Sequence, residues 1–380
     1  MLESFQIRNF RLFEHLQVER LNRVNLIVGH NNVGKSTFLE ALELYISNAS
    51  PDVLIDLLES RQETWFSEAH PQHTNLAGNS VRHLFFGHKM PQAEEQGILL
   101  GELSSSVELH LGAAAYQSKT DDEGGTRRIR VSGFQPDLFD EDPSNIEIFF
   151  VAEEGERTRR LFRLNRDLND IESYSSWDPF DQKPKFKFVW QIVSTENVSD
   201  RKLATLWDLT SLTNLEKEVI SALKLIDNRV SGVAFVEDMS YKGVVRNRIR
   251  RIPLVKVEGI DEPLTLKSMG DGMTRLFHMI VALVNAQNGL LLIDEFENGL
   301  HWSVQPKVWD ILFQLSEKLN VQVFATTHSR DCIKGFENAW NHYPALGAFF
   351  RLDRRNGRIS AIEYTAETLA DAIEMDVEVR

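Results

Sequence analysis

The sequence predicts an α/β protein built on a mixed central sheet with flanking helices, and three observations carry that expectation. A short apolar strand over Val24–Val28 leads through the glycine-rich run Gly29-His30-Asn31-Asn32-Val33-Gly34-Lys35-Ser36-Thr37 into an amphipathic helix over 36–45. A second apolar strand, Leu290-Leu291-Leu292-Ile293, ends in the carboxylate pair Asp294-Glu295, the form in which a buried parallel strand delivers acids to a sheet edge. Between them, from residue 101 to about 193, apolar residues recur with period two, as in an antiparallel meander laid beside the core.

The remaining elements follow in chain order. Residues 2–10 roughly alternate apolar and polar, and the alternation resumes at 16–18, so two or three strands precede the glycine-rich run. Helical apolar spacing covers 51–65, whereas 70–80, rich in Pro, His, Asn and Gly, reads as loop. Strands of the meander are expected at 107–111, 128–131, 146–151, 161–164 and 186–192, punctuated by Gly124-Gly125 and the acidic stretch 137–142. From 198 to 226, Leu203, Leu206, Trp207, Leu215, Val219, Leu223 and Ile226 recur mostly at three- and four-residue intervals and predict a short helical subdomain. Strands return at 233–236 and 252–257, and a helix is expected over 274–285. These elements divide into a first lobe, 1–195, a helical insertion, 196–230, and a second lobe, 231–380.

Composition narrows the function classes. A formal net charge of −14 over 380 residues works against broad attraction to nucleic acid, so any DNA contact has to be local. Cys332 is the only cysteine, which rules out an intrachain disulfide or a cysteine metal cluster and suits a cytoplasmic setting. The first residues carry no signal-peptide pattern, and the apolar runs near 279–284 and 290–293 are too short to span a membrane.

The glycine-rich run fits G-x-x-x-x-G-K-[ST] and stands between a strand and a helix, where consecutive backbone N–H groups and the helix dipole hold a triphosphate. Gly29, Asn31, Asn32, Val33, Gly34, Lys35, Ser36 and Thr37 form the expected nucleotide cradle; Lys35 would reach the β- and γ-phosphates of ATP and Ser36 would bind Mg²⁺. Asp294 is expected in the Mg²⁺ shell, and Glu295 is the candidate base that orients and deprotonates the attacking water. Upstream, Ser268-Met269-Gly270-Asp271-Gly272 leads into a helix and offers a second anion cradle through Ser268, Gly270 and Gly272. His328 follows an apolar strand in Thr326-Thr327-His328-Ser329, and His301 suits a capping role as well as a functional one.

The order of these motifs, together with Glu297-Asn298-Gly299-Leu300-His301, Phe324-Ala325-Thr326-Thr327-His328-Ser329 and the opening Phe5-Gln6-Ile7-Arg8-Asn9-Phe10-Arg11, resembles the ATPase heads of the SMC, RecF and OLD (overcoming lysogenization defect) group. The likeness spans nearly the whole chain and is closest to OLD-like AAA-type ATPases. It implies a P-loop ATPase of ABC type that forms a homodimer, or a higher homo-oligomer, with ATP held between subunits. In such a dimer Ser268 and Gly270 would serve the partner's γ-phosphate, Glu297 to Leu300 would cross the seam, and His328 would sense the γ-phosphate. A glutamine loop is also implied, with Gln92 and Gln96 as candidates that the residues do not separate.

Departures from the relatives shape the functional expectation. Too few residues follow His328 for the Toprim nuclease domain of OLD proteins, and the acidic stretch 371–376 reads as a solvated helix face. Coiled-coil arms are missing as well. The expectation is therefore an ATPase that dimerises around ATP and regulates a separately encoded effector, a nuclease, in bacterial antiphage defence. The alternative is a RecF-like ATPase that binds DNA through basic clusters at 127–130, 157–166 and 246–251.

Overall fold

A computed structural model describes residues 1–63, 80–91, 96–120, 126–131, 146–164, 185–195, 200–238 and 250–379 of the chain. Strands β1 (Phe5–Phe10) and β2 (Phe13–Val18) form a hairpin, after which β3 (Val24–Val28) runs into helix α1 (Lys35–Ile46). Helix α2 (Pro51–Ser60) starts on a proline, whose missing N–H is no loss at that position, with Asp52 beside it at the positive end of the helix. Strands β4 (Ile98–Gly101), β5 (Leu109–Thr120), β6 (Thr126–Val131), β7 (Ile146–Glu154) and β8 (Arg157–Arg163) join the hairpin in one antiparallel sheet, in the order β2-β1-β4-β5-β7-β8 with β6 also on β5.

Strand β9 (Trp190–Val193) departs from the meander expected to end with it, because it pairs in parallel with a later strand, Leu290 opposite Trp190. Period two identifies a strand but not its partner; here the side chains decide. Trp190 and Ile192 pack into the core beneath the phosphate-loop helix, and the Trp190 indole N–H donates to Glu43 of α1 at 3.1 Å. Helices α3 (Asp200–Thr210) and α4 (Asn214–Lys224) follow, α4 capped by the Thr213 hydroxyl accepting from the Leu215 N–H at 3.1 Å. A small antiparallel sheet, β10 (Val230–Glu237), β11 (Arg251–Val257) and β12 (Leu264–Thr265), then leads to α5 (Asp271–Asn285).

The second half completes a mixed sheet: β13 (Leu290–Ile293), α6 (Gln305–Lys318), β14 (Gln322–Thr326), α7 (Arg330–His342), β15 (Gly347–Arg355), β16 (Arg358–Tyr364) and α8 (Ala366–Glu374). Its order is β16-β15-β3-β14-β13-β9, with five parallel strands and an antiparallel edge closed by the Asn356-Gly357 turn, whose two positive φ angles, 52° and 83°, suit a tight hairpin. Terminal helix α8 carries a Thr365–Thr368 capping box and holds the acidic stretch 371–376 largely at the surface, as expected.

Two cores lie on opposite faces of the mixed sheet, and strand alternation assigns residues to them. Val24, Leu26 and Val28 of β3 face the core built from α5, α6 and α7, while Ile27 faces the core shared with the antiparallel sheet. Phe324 and Leu292 likewise point to the second core, and Val323, Ala325, Leu291 and Ile293 to the first. Helix α1 lies between the two sheets, its Phe38 ring 5.8 Å from Phe5 and 5.4 Å from Phe350. It is consequently buried on almost every face and not amphipathic as expected. The helix expected over 51–65 ends at Ser60, and residues 64–79, Gln92, Gly124-Gly125 and 137–142 lie outside the described residues.

Candidate functional site

Parallel pairing sets the site. Because β3, β14 and β13 are neighbours with Leu26 opposite Ala325 and Phe324 opposite Leu292, their C-terminal ends share one edge, and the phosphate loop, Asp294-Glu295 and Thr326 to Ser329 emerge there together. The loop leaves β3 at Gly29, where φ is 148° and a Cβ would stand 2.6 Å from the Leu352 carbonyl oxygen. It enters α1 at Gly34, where φ is 95° and a Cβ would come within 2.7 Å of the Phe13 ring. The Lys35 ammonium arches back over the loop and donates to the carbonyls of Gly29 at 2.8 Å and His30 at 3.1 Å. Partial burial lowers its pKa, and the nearby charges of Glu297, Asp294 and Glu295 act against that shift.

Asp294 joins three elements through one carboxylate. It accepts from the Ser36 hydroxyl of α1 at 2.8 Å and from the Thr326 hydroxyl at the end of β14 at 2.6 Å. A serine hydroxyl and a carboxylate in contact are hard oxygen donors of the kind Mg²⁺ takes alongside waters and phosphate oxygens. Among the described residues no cluster of three or more His, Cys, Asp or Glu is placed to hold a metal ion.

Glu295 sits at φ 47°, a left-handed conformation that a side chain disfavours. Two contacts hold it there. Its N–H donates to the Thr326 hydroxyl at 2.9 Å, and its carbonyl accepts from Arg275 of α5 at 3.2 Å. Arg275 is 5 % exposed and also donates to the carbonyls of Asp294 at 2.8 Å and Ser194 at 2.6 Å. Burial lowers the guanidinium pKa while the Asp294, Glu297 and Glu295 charges offset it. Sequence reading missed Arg275 and Thr326; an arginine on the apolar face of α5 was the available signal for the first.

His328 stands at the same edge, its N–H and its ring Nδ1 both against Glu297, at 2.9 Å and 3.0 Å. Glu297 therefore turns inward, and Leu300 is buried in the core, so of the segment expected to cross a dimer seam only Asn298 and Gly299 are exposed. A loop that must reseal the end of β13 has to bury its apolar residue, which explains the difference. His301 is exposed, with Nδ1 2.8 Å from the Ser303 hydroxyl, a local turn contact.

The segment expected as a second anion cradle lies at the start of α5. Ser268 and Gly270 are exposed at the N-terminus of α5, Gly270 with φ 96° and open space around it, and Ser268 donates to the Thr265 carbonyl at 2.7 Å. Ser268 opens onto a cleft of about 770 Å³ shared with Leu225, Asp227 and Arg229, with no phosphate-loop residue in its lining. Gly272 is half-buried, and a Cβ there would stand 3.4 Å from the Gly299 carbonyl oxygen. Gln96 is exposed, its carbonyl accepting from Asn9 at 3.1 Å.

Basic clusters are largely spent on partners within the chain: Arg128 and Arg163 on Glu147 at 2.6 and 2.8 Å, Arg130 on Glu153 at 2.5 Å, and Arg251 on Asp208 at 2.5 Å. Residues 165–166 and 246–249 lie outside the described residues. No helix among the described residues is long and apolar enough to cross a membrane.

Comparison with known proteins agrees with the geometry. An ATP/GTP phosphatase of Helicobacter pylori is 23 % identical over 346 residues, 88 % of this chain and 87 % of that protein. A Methanocaldococcus jannaschii protein is 47 % identical over 47 residues, 12 % of this chain and 22 % of its own length. Among solved structures, an SMC head bound to the C-terminal winged-helix domain of ScpA has a TM-score of 0.48 at 12 % identity, covering 97 % of this chain and 99 % of that one. The SMC head domain of Thermotoga maritima has a TM-score of 0.43 at 12 % identity, covering 96 % and 98 %. Residues 1–86 match the AAA ATPase domain, and residues 109–331, more than half of the 380, match the family described as "AAA domain, putative AbiEii toxin, Type IV TA system". With its phosphate loop and acidic strand end built as described, the chain belongs to this AAA-domain family and is an ATPase.

Proposed function

We propose that this ATPase closes as a head-to-tail dimer around two molecules of Mg-ATP and that closure controls a separate effector protein. The observation that carries the reading is the exposure of Ser268 and Gly270 at the start of α5, with no phosphate-loop residue lining the cleft that Ser268 enters, an anion cradle open to a second molecule. Ser36 and Asp294 would hold Mg²⁺, which supplies charge neutralisation of the β- and γ-phosphates when bound. Lys35 and the loop N–H groups bind the phosphates, and Glu295 takes a proton from the water that adds to the γ-phosphorus as the bond to the β–γ bridging oxygen breaks, giving ADP and phosphate.

A family description that names a toxin–antitoxin system supports a paired gene product, and a nuclease effector in antiphage defence is the setting that the likeness to OLD proteins favours. Direct DNA binding of the RecF kind has less support, because Arg128, Arg130, Arg163 and Arg251 of the basic clusters meet carboxylates of the same chain.

The test is molar mass by light scattering. Glu295→Gln should be a dimer with ATP and Mg²⁺ and a monomer with ADP, while Ser268→Arg should bind ATP and stay monomeric. A Glu295→Gln protein that remains monomeric at saturating ATP, or a Ser268→Arg protein that dimerises normally, would overturn the reading.

A further inference from the structure

Glu297 has no role in the reading above, yet its carboxylate is among the most constrained groups at the sheet edge. Its side chain is 12 % exposed; one oxygen accepts from the buried Thr327 hydroxyl at 2.7 Å, and the other faces both the His328 N–H at 2.9 Å and His328 Nδ1 at 3.0 Å. Thr327 is in turn fixed by its own N–H, which donates to the Ile27 carbonyl at 3.1 Å, two residues before the phosphate loop. The histidine ring is half exposed on its other side.

A carboxylate only accepts hydrogen bonds, so the ring nitrogen facing it must carry a proton. We propose that Glu297 is a positioning residue that fixes the neutral His328 imidazole as its Nδ1–H tautomer, leaving Nε2 as the nitrogen through which His328 meets a phosphate oxygen or an ordered water. The role assigned to Nε2 rests on the reading of His328 as a γ-phosphate sensor; the tautomer lock rests on the Glu297 contacts alone. Neutral His328 presents an acceptor at Nε2, and the imidazolium presents a donor there; Nδ1 exchanges with neither. The partner that holds one ring nitrogen thereby decides what the other can do.

The tautomer is read directly from the side-chain ¹⁵N shifts of histidine-labelled full-length protein, with the His328 signals assigned by their loss in His328→Gln. The wild type should show a protonated Nδ1 and an unprotonated Nε2 in the neutral form. Glu297→Gln, whose amide can donate to Nδ1, should move the ring toward the Nε2–H form and lower kcat by about 10- to 100-fold, with ATP affinity unchanged within about twofold. A wild-type spectrum with the proton on Nε2, or the same tautomer in Glu297→Gln, would overturn the proposal. The wild-type spectrum needs no variant to fold. His328→Ala with undiminished turnover would remove the sensor reading and leave the tautomer measurement standing, so the two failures are distinguishable.

Discussion

Asp294 and Thr326 show how much of the site depends on single side chains. Thr326 is fully buried, donates to Asp294 and accepts from the Glu295 N–H. Thr326→Val keeps its shape but strands the part-buried Glu295 N–H and frees the carboxylate, which costs about 1–3 kcal/mol; calorimetry should show a lowered Tm, and kcat should fall as Glu295 loses its hold. Lys35→Ala should lose most ATP binding in a titration, because it removes the cation that lies over the loop and bridges the Gly29 and His30 carbonyls. Wild-type affinity would refute the assignment. Glu295→Gln should bind ATP and turn it over about 10²- to 10⁴-fold more slowly, measured as phosphate release.

Helices and strands differ in how far their placement could be read from residues. β3 and β13 were legible to the residue, since four of the five side chains of β3 and all four of β13 are apolar, the pattern of a short buried strand. β9 was legible as a strand and not as a neighbour of β13, because its pairing is set by contacts a hundred residues away. The phosphate loop, Asp294 and Glu295 were legible because their chemistry requires a fixed spacing. Arg275, Thr326 and the inward turn of Glu297 were not, since hydrogen bonds between distant elements leave no periodic trace. Gly34→Ala tests the loop as an element: with φ at 95° and the Phe13 ring in the way, it should destabilise the fold by about 2 kcal/mol or more by denaturant unfolding, whereas a change within 0.5 kcal/mol would show that the loop relaxes freely.

For the whole molecule, α5 is the element that couples surfaces. Its exposed start carries Ser268 and Gly270 next to it, and one turn further along Arg275 grips the carbonyls of Asp294 and Glu295. In the proposed dimer, a partner that presses on the start of α5 would move the backbone that sets the candidate base, and nucleotide held by one subunit would then alter hydrolysis in the other. Arg275→Lys, which keeps the charge and loses the fork, should weaken that link: ATP binding stays near wild type while turnover falls and the dependence of rate on protein concentration flattens. Equal losses in binding and turnover would instead mark a local packing defect.

One more consequence comes from the position of α1. Phe38 is wedged between Phe5 and Phe350, and β3 feeds side chains to both cores, so neither half of the protein owns the helix that starts the nucleotide cradle. Melting the outer antiparallel layer would strip that helix of one wall and take the ligand pocket with it. The molecule should therefore lose its shape in a single heat-absorption peak, and ATP should delay the collapse of the distant layer as much as that of the layer it touches.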